Sequence, residues 1–543
     1  MRNPCFFAMT YLFKNNKMTI IQKKRKLPIG IQSFKKMRME GFLYVDKSDL
    51  VWELANSSSP YVYLSRPRRF GKSVLVDTLQ AYFEGRRDLF EGLKITDLEQ
   101  DWPAHPVIRL DMSRGGASQA TLRSYLSNRF KEYEEDFHIK QQADDSLADR
   151  LHGIIKKAYQ QTGRQVVILI DEYDSPLQHS WHTPEHEACT TVYREVFAIL
   201  KADDEMERFV FITGITKFTQ ISLFSVLNNL CNISFEPQYA TLCGISKQEV
   251  VDNFMPEIED MSKANQWTTE ETLSKLKDYY DGYHFCRHNM VDVYNPFSLI
   301  NALYQKELRS YWATSGATSL LSKFVGDIEI RLNDFDHCSI LRTTLESSDV
   351  TGGGPELFLF QSGYLTIKSC DEFGYNLGIP NEEVRQALNE MVLPALTLRH
   401  TGDTDSLQAN LYRQLGTGQL DDAKKSMRAL IADVPYSNKK LASMDMEERY
   451  RLIISTILNA LGIRVEVERR LATGRIDLVA WLSRYIYVME LKLSGNGGMA
   501  AAERQIKENR YVEPFKADKR QVVALAVELD TEGKGLIDWK VVE

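Results

Sequence analysis

The chain has 543 residues, of which 43% are hydrophobic and 26% are charged, and its formal net charge at pH 7 is −7. This length exceeds one hydrophobic core, so we expect three or four domains of ordinary globular composition. The small negative charge excludes a chain-wide basic field for nucleic acid, and any such binding must come from local patches. No apolar stretch approaches the roughly eighteen residues of a membrane span, so we expect no membrane partner.

The seven cysteines are scattered and form no C-x-x-C pair. This spacing predicts neither a zinc site nor a disulfide framework, and it fits a reducing cytoplasm. Residues 1–26 are expected to be a disordered or over-extended N-terminus, with Met18 as the true start. The short apolar run in this segment has no small-residue cleavage site after it, which argues against a secretory signal.

A strand, a loop and a helix around residues 61–79 predict a nucleotide-phosphate site. The loop ends in Gly-Lys-Ser, although an arginine stands where the usual phosphate-loop pattern has its first glycine. In such a loop, backbone N–H groups hold the phosphates, the lysine contacts the β and γ oxygens, and the serine hydroxyl joins Mg²⁺. We therefore expect ATP and Mg²⁺ to bind Arg66, Pro67, Arg68, Arg69, Phe70, Gly71, Lys72 and Ser73.

A second part of this site follows about a hundred residues later. Residues 165–170 are a continuous apolar, β-branched run, which is typical of a strand buried on both faces, and Asp171 and Glu172 follow it. Asp171 can hold Mg²⁺ and Glu172 can orient the attacking water, with Asp174 as the next candidate for the base. A third strand over 208–212 ends at Thr213, where a polar group can contact the γ-phosphate.

The pattern along the chain predicts five segments. Residues 27–240 alternate strand-like and helix-like stretches, which favours a parallel α/β sheet. Within them, a helix over 122–137 and a polar stretch to residue 150 are expected to form the crossover before the strand at 165–170. Residues 241–345 are mostly helical, with Ser246 as a predicted N-cap, and indicate a lid over the nucleotide. Residues 346–440 predict a winged-helix-like unit, built on a hairpin between 364 and 379, and a helical connector. Residues 441–543 form the last domain.

The last hundred residues carry a different chemistry. Residues 474–481 and 485–493 predict an antiparallel hairpin with a turn near residues 483–484. Residues two apart on a strand share a face, so Glu490 and Lys492 project together, and Asp477 on the partner strand can approach them. Two carboxylates and the Leu491 carbonyl suit Mg²⁺, and the lysine can act on water and phosphate. Gln505 on the following helix is a further candidate catalytic residue.

These motifs resemble two known protein modules. Residues 28–34, 44–47, 66–73 and 169–174 resemble the bacterial AAA-ATPase-like family, in which Arg-Pro-Arg-Arg-Phe-Gly-Lys-Ser is the usual loop, so Arg66 is no defect relative to it. Residues 474–511 resemble the PD-(D/E)XK nuclease superfamily domain that ends the same proteins. Residues 361–366 and 379–384 resemble the linker between them.

The resemblance implies an α/β multidomain fold. Its parts are a P-loop AAA-type parallel sheet with a helical lid, a winged-helix-like linker and a C-terminal restriction-endonuclease-like α/β domain. It assigns Lys72, Ser73, Asp171 and Glu172 to the nucleotide, and Asp477, Glu490 and Lys492 to a nuclease site. An upstream helix glutamate often completes such a nuclease site, and both Glu447 and Glu448 remain open.

The leading hypothesis is an ATP-binding, ATP-hydrolysing AAA-type module that controls a metal-dependent DNA nuclease, in defence against foreign DNA or in mobile-element biology. One alternative is an NTP-dependent signalling switch whose nuclease-like domain does not cut, and another is a DNA-binding regulator that uses the winged unit. Residues 445–543 contain 16 Lys+Arg and 16 Asp+Glu, a net charge of zero, which indicates no strong non-specific DNA affinity. The sequence is compatible with a homo-oligomer.

Overall fold

The fold is described from a computed structural model of the chain. The structure describes residues 25–140, 145–217, 230–287, 291–312, 338–347, 354–388, 401–432 and 445–542. The predicted N-terminal segment 1–26, including Met18, lies almost entirely outside these ranges. The described residues divide into two compact units, of which the first holds 25–276 and 283–308 and the second holds 277–282 and the residues from 309 onward. The five predicted segment limits stay a prediction.

The first unit is built on a parallel sheet, as the sequence predicted. Its five strands are β1 (Tyr61–Ser65), β2 (Val107–Asp111), β3 (Val166–Asp171), β4 (Glu207–Gly214) and β5 (Cys231–Asn232). Their order across the sheet is β2-β3-β4-β1-β5, and every neighbouring pair is parallel. All six residues of β3 are buried, as expected for a strand covered on both faces. Strand β4 therefore lies between β1, which leads into the predicted loop, and β3, which leads into the predicted acidic pair.

The helices around this sheet either precede β1 or connect its strands. They are α1 (Phe34–Glu40), α2 (Ser48–Ala55), α3 (Lys72–Phe83), α4 (Arg87–Phe90), α5 (Gln119–Asp136), α6 (Leu147–Thr162), α7 (Ser175–Ser180), α8 (Glu185–Phe197) and α9 (Ile199–Ala202). The helix expected over 122–137 is α5. The following stretch, expected to be a polar connection, contains a second helix, α6, whose capping box at Ser146 and Asp149 satisfies its first N–H groups.

The first unit continues through mainly helical structure. Its elements are α10 (Lys247–Asn265), α11 (Thr269–Tyr280), α12 (Pro296–Gln305) and the short antiparallel pair β6 (Ile245–Ser246) and β7 (Val293–Tyr294). The predicted N-cap is confirmed, because the Ser246 hydroxyl accepts from the Glu249 N–H. The last residues of α11 already belong to the second unit. No helix in the described ranges is both long and apolar enough to cross a membrane.

The second unit begins with a small antiparallel sheet in the order β8-β10-β9. Its strands are β8 (Cys338–Leu341), β9 (Thr366–Cys370) and β10 (Gly374–Gly378), accompanied by α13 (Arg342–Ser347) and α14 (Gly354–Ser362). The hairpin predicted between 364 and 379 is confirmed. Residues 277–282 are bonded to the segment that follows β10, where the Asn381 side-chain amide donates to the Asp281 carbonyl over 2.8 Å. Gly282 has φ +87°, and a Cβ at this position would lie 2.4 Å from the Pro380 carbonyl oxygen.

The C-terminal part of the second unit is a five-stranded mixed sheet. Its strands are β11 (Arg464–Leu471), β12 (Gly474–Trp481), β13 (Tyr485–Leu493), β14 (Gln521–Leu529) and β15 (Leu536–Val542), in chain order, with β13 and β14 parallel and the other pairs antiparallel. Helices α15 (Thr401–Thr417), α16 (Leu420–Ala432) and α17 (Met446–Ala460) pack on one face, and α18 (Gly498–Glu508) packs on the other. The predicted hairpin of β12 and β13 is confirmed, including its turn, which the Leu482 N–H closes on the Tyr485 carbonyl over 2.9 Å.

Candidate functional site

The loop between β1 and α3 has the geometry of a phosphate-binding loop. Gly71 lies in the left-handed region, at φ +89°, and α3 begins at the next residue, Lys72. The buried Lys72 ammonium donates to the carbonyl oxygens of Arg66 (2.9 Å) and Pro67 (3.0 Å) at the start of the loop. Burial lowers the pKa of Lys72, and the nearby carboxylates, Glu172 foremost, oppose this shift. Lys72 therefore places a desolvated ammonium group at the start of the loop.

The predicted acidic residues meet this loop at the end of β3. The Ser73 hydroxyl hydrogen-bonds to the Asp171 carboxyl, so the two predicted Mg²⁺ ligands are adjacent. Burial raises the pKa of Asp171, while the Ser73 hydrogen bond and the charge of Lys72 oppose the rise. Glu172 has φ +48°, a backbone conformation that non-glycine residues seldom adopt and that is concentrated at functional sites. Burial also raises the pKa of Glu172, against the charge of Lys72.

Arg66 does not point toward the phosphate position. Its guanidinium is fully buried and donates to the carbonyl oxygens of Ser65 (2.9 Å), Ser234 (2.9 Å) and Tyr239 (3.1 Å). It also lies 4.2 Å from the Phe285 ring centroid. Burial lowers the pKa of Arg66 to about 10. The geometry thus places Arg66 beneath the loop, where it joins β1 to later segments of the first unit, and not in the phosphate-binding position predicted from the motif.

We expect Arg66→Met to destabilise the first unit by about 2–4 kcal/mol, because three carbonyl oxygens, two of them in buried contacts, lose their donor. Urea unfolding of the full chain measures this change. The matched variant is Arg69→Met, which removes an exposed guanidinium of the same loop and should change stability by less than about 0.5 kcal/mol. Wild-type stability in Arg66→Met would contradict a role beneath the loop.

The remaining loop residues divide between the protein interior and its surface. Pro67 and Phe70 are buried, and the Phe70 ring makes an edge contact with Tyr283 at a centroid distance of 4.8 Å. Arg68 is half-buried, and the exposed Arg69 guanidinium lies 5.0 Å from the Phe297 ring. The central apolar residue of the loop therefore anchors it, while Gly71, Lys72 and Ser73 face the phosphate position.

Two polar residues near the ends of β3 and β4 have structural partners. The Thr213 hydroxyl, predicted to contact the γ-phosphate, is fully buried and donates to the Leu64 carbonyl over 2.8 Å, so it joins two strands inside the sheet. Asp174, the alternative base, accepts hydrogen bonds at one carboxylate oxygen from the backbone of residues 215 and 216 and from the side chains of Thr216 and Gln178. Its carboxylate organises the turn after β4, which leaves Glu172 as the better candidate for the general base.

A mainly apolar cavity of about 120 Å³ lies beside the phosphate loop. It is bounded by the extended segment before α2, the first turns of α3 and residues 242–245. Lys47 is its buried cation and forms a 2.6 Å ion pair with Glu249. This cavity could not be predicted from local sequence, since its walls come from segments about 200 residues apart. Its lining residues include Leu43, Tyr44, Val45, Lys47, Gly71, Leu75, Thr78, Leu242, Cys243, Gly244 and Ile245.

The nuclease-like residues converge where β12 and β13 separate. The recorded pairing of these strands ends at Leu478 and Met489, so the next position places Asp477 opposite Glu490. Beyond that point, the Leu491 N–H donates to Asp477 Oδ2 over 2.9 Å. The Asp477 and Glu490 carboxyl groups are both buried and lie close enough for the charge of Asp477 to act on Glu490. Burial and then the charge of Asp477 raise the pKa of Glu490 to about 8.

Lys492 completes this group. Its ammonium lies 2.9 Å from Glu490 Oε1 and 3.5 Å from Glu447 Oε1. Burial lowers the pKa of Lys492 and the Glu490 hydrogen bond raises it, with a net upward shift. Of the two upstream helix glutamates left open by the sequence, Glu447 therefore contacts the cluster through Lys492. The two carboxylates and the lysine share one location, as the strand spacing predicted.

Gln505 has a different neighbour. Its amide donates to the Tyr511 hydroxyl over 3.1 Å, and this hydroxyl donates to the Arg475 carbonyl over 2.7 Å. Gln505 is thus bonded to Tyr511, and through that hydroxyl to the start of β12, and not to Asp477 or Glu490. Its predicted catalytic role is not supported by a direct contact with these carboxylates.

The Asp477–Glu490 pair fits a hard divalent cation. Glu490 Oε2 is buried and has no hydrogen-bond partner in the described part of the chain, an arrangement that is costly unless a cation or water satisfies it. Carboxylate oxygens are preferred Mg²⁺ ligands, and Mg²⁺ usually keeps several waters. No group of three or more His, Cys, Asp or Glu in the described ranges is arranged to hold a metal. A cation here would therefore rest on two carboxylates, backbone oxygen and water.

Comparison with known proteins finds two families in the chain. The family described as "Predicted AAA-ATPase" matches residues 28–224, and the family described as "PD-(D/E)XK nuclease superfamily" matches residues 445–539. The "Uncharacterized protein in vnfD 5'region" of Azotobacter chroococcum mcd 1 is 31% identical over 536 residues, which are 95% of this chain and 99% of that protein.

Similarity to solved structures is much weaker. Cdc6p from Pyrobaculum aerophilum is 11% identical, with a TM-score of 0.27 over 65% of this chain and 97% of that chain. The Aeropyrum pernix ORC1 protein in complex with DNA is 12% identical, with a TM-score of 0.25 over 63% of this chain and 92% of that chain. These scores are too low to support a conclusion about this chain. The sequence matches and the two site geometries lead to one identification: the chain belongs to the family of the A. chroococcum protein and combines an AAA-ATPase-like domain with a PD-(D/E)XK nuclease superfamily domain.

Proposed function

We propose that this protein binds and hydrolyses ATP in its first unit and cleaves DNA with its C-terminal domain. The single observation that carries the proposal is the convergence of Asp477, Glu490 and Lys492 at the point where β12 and β13 separate. Buried charges of this kind are expensive in a structural core and are concentrated at functional sites.

In the ATPase half, each residue has a separate task. Gly71 and the first N–H groups of α3 receive the phosphates, and Lys72 exchanges the Arg66 and Pro67 carbonyl oxygens for phosphate oxygens. Ser73 and Asp171 would hold Mg²⁺, which supplies charge neutralisation on the phosphates when bound. Glu172 orients the attacking water. The apolar cavity beside Gly71 is the proposed position of the adenine ring of ATP.

In the nuclease half, Asp477 and Glu490 would hold the divalent cation, and the cation supplies stabilisation of charge on the phosphodiester when bound. Asp477 is oriented by the Leu491 N–H. Lys492 remains a cation between Glu490 and Glu447, and it positions water and binds a phosphate oxygen. Glu447 holds the lysine at the cluster. Action on foreign DNA or in mobile-element biology, in the cytoplasm, is the setting that we propose from the family resemblance.

The direct test uses the full-length protein with supercoiled plasmid. Mg²⁺ or Mn²⁺ is added with and without ATP, and both nicking and phosphate release are followed. We expect metal-dependent nicking whose rate changes with ATP. Phosphate release without DNA cleavage under any metal would retain the ATPase and reject the nuclease. Nicking without phosphate release would do the reverse.

A further inference from the structure

Helix α17 brings a second charged residue to the nuclease cluster. Glu447 and Arg451 are four residues apart, so they lie on one face of the helix. Glu447 contacts Lys492, whereas Arg451 Nη1 lies 3.8 Å from Asp477 Oδ1 and forms an ion pair with Glu468. Only 10% of the Arg451 side chain is exposed. Its Nε has no hydrogen-bond partner in the described part of the chain, so this buried guanidinium is only partly satisfied.

Glu468, on β11 opposite Asp477, has an unusual backbone conformation. The recorded pairs Val467–Leu478 and Arg469–Ile476 flank it, which places Glu468 opposite Asp477. Its φ of +52° is rare for a residue with a side chain, and such a conformation persists where surrounding contacts enforce it. Its carboxylate forms two ion pairs, with Arg451 and with Arg475, the latter at 3.0 Å. The Glu468 carboxylate therefore shares Arg451 with Asp477.

This arrangement has an electrostatic consequence for a cation at Asp477. A buried guanidinium repels a divalent ion held by the carboxylate beside it, and the low local dielectric strengthens the repulsion. The Glu468 carboxylate acts in the opposite sense, because it draws the guanidinium toward β11 and partly neutralises it. Lys492 pairs with Glu490 and Glu447, whereas Arg451 pairs with Asp477 at 3.8 Å.

We propose that Arg451 is a positioning residue: it orients Asp477 and is the counter-ion of the Asp477 carboxylate, for which it competes with the metal. It holds Asp477 when no metal is present, and Glu468 sets how strongly it competes with the metal. This inference rests on the proposed nuclease function. It predicts effects of opposite sign for two neighbouring residues: loss of the Arg451 charge favours the metal, and loss of the Glu468 charge disfavours it.

The test measures Mn²⁺ affinity of the full-length protein without nucleotide, by calorimetry or by the electron paramagnetic resonance signal of free Mn²⁺. The relevant site is the one that disappears in Asp477→Asn. We expect about 3–10-fold tighter binding in Arg451→Gln and about 3–10-fold weaker binding in Glu468→Gln. DNA cleavage by Arg451→Gln should be slower at saturating metal, because Asp477 loses its orientation, and Arg451→Lys should restore it in part.

The control is Glu466→Gln. Glu466 lies on the same strand and pairs with Arg464 and Arg469 instead of Arg451, so its loss should leave Mn²⁺ affinity unchanged. Unchanged affinity in Arg451→Gln, or shifts of the same sign in Arg451→Gln and Glu468→Gln, would overturn the inference while the proposed function stands. If wild type has no Mn²⁺ site that Asp477→Asn removes, both the proposed nuclease function and this inference are wrong. If Arg451→Gln does not fold, Glu468→Gln decides alone, since that side chain is 43% exposed.

Discussion

Asp477→Asn and Glu490→Gln are each expected to abolish metal-dependent DNA cleavage, with a rate loss of at least about a thousandfold. Each change keeps the shape of the side chain and removes the negative charge that a divalent cation requires. Lys492→Ala should leave Mn²⁺ binding within a few-fold of wild type and still block cleavage, because its ammonium contacts carboxylates and not the proposed cation position directly. Plasmid nicking and Mn²⁺ titration, measured on the same preparations, separate these two outcomes.

The matched control for this series is Asp518→Asn. Asp518 is a carboxylate of the same domain that pairs with Arg520 near the surface, away from the cluster. Its replacement should leave both cleavage and ATP affinity unchanged. A charge cluster without function would instead show no dependence of cleavage on metal, and Asp477→Asn would then affect only stability. Full cleavage by Glu490→Gln would reject Glu490 as a metal ligand.

Lys72→Ala is expected to weaken ATP binding at least about a hundredfold without unfolding the protein, because the phosphates lose the cation that the loop buries for them. Glu172→Gln should keep ATP affinity and lose about two to three orders of magnitude in turnover, since the amide retains the shape but cannot act as a base. A fluorescent-nucleotide titration reports affinity, and phosphate release reports turnover.

Lys94→Ala is the control for Lys72→Ala, since Lys94 forms a surface ion pair with Asp49 and is half-exposed. Wild-type ATP affinity in a folded Lys72→Ala protein would end the assignment of this loop. Normal turnover in Glu172→Gln would move the base elsewhere. Asp174 is a poor substitute, because one of its carboxylate oxygens already accepts several hydrogen bonds.

Local patterns were sufficient for the elements that carry the sites. The run before Asp171 and the apolar hairpin around Glu490 could be predicted as strands, because hydrophobic periodicity and composition are visible over a few consecutive residues. The same spacing placed Glu490 and Lys492 on one face, and their ammonium–carboxylate distance of 2.9 Å agrees with it. The crossover helix α6 was missed because its polar start hid an apolar stripe, which the buried residues Leu151, Ile154, Ile155 and Ala158 now show.

Contacts between distant segments could not be predicted from these patterns. The Arg66 guanidinium is bound by carbonyl oxygens 168 and 173 residues away, so a motif that resembles a phosphate loop does not reveal its burial. The choice of Glu447 over Glu448 depends on which face of α17 meets β13. Adjacent residues point about 100° apart on a helix, and only the packing of that helix selects one of them.

The hydrogen bond between residues 277–282 and the later segment has a consequence for folding during chain synthesis. The Asp281 carbonyl bonds to Asn381, 100 residues later, so at about 5–20 residues per second it waits roughly 5–20 seconds for its partner. During that interval residues 283–308, which belong to the first unit, are already available for its folding. The second unit is thus interrupted in the gene by part of the first. A fusion protein that begins after residue 282 would lack one side of this contact, so the C-terminal unit cannot be transplanted intact as one uninterrupted stretch.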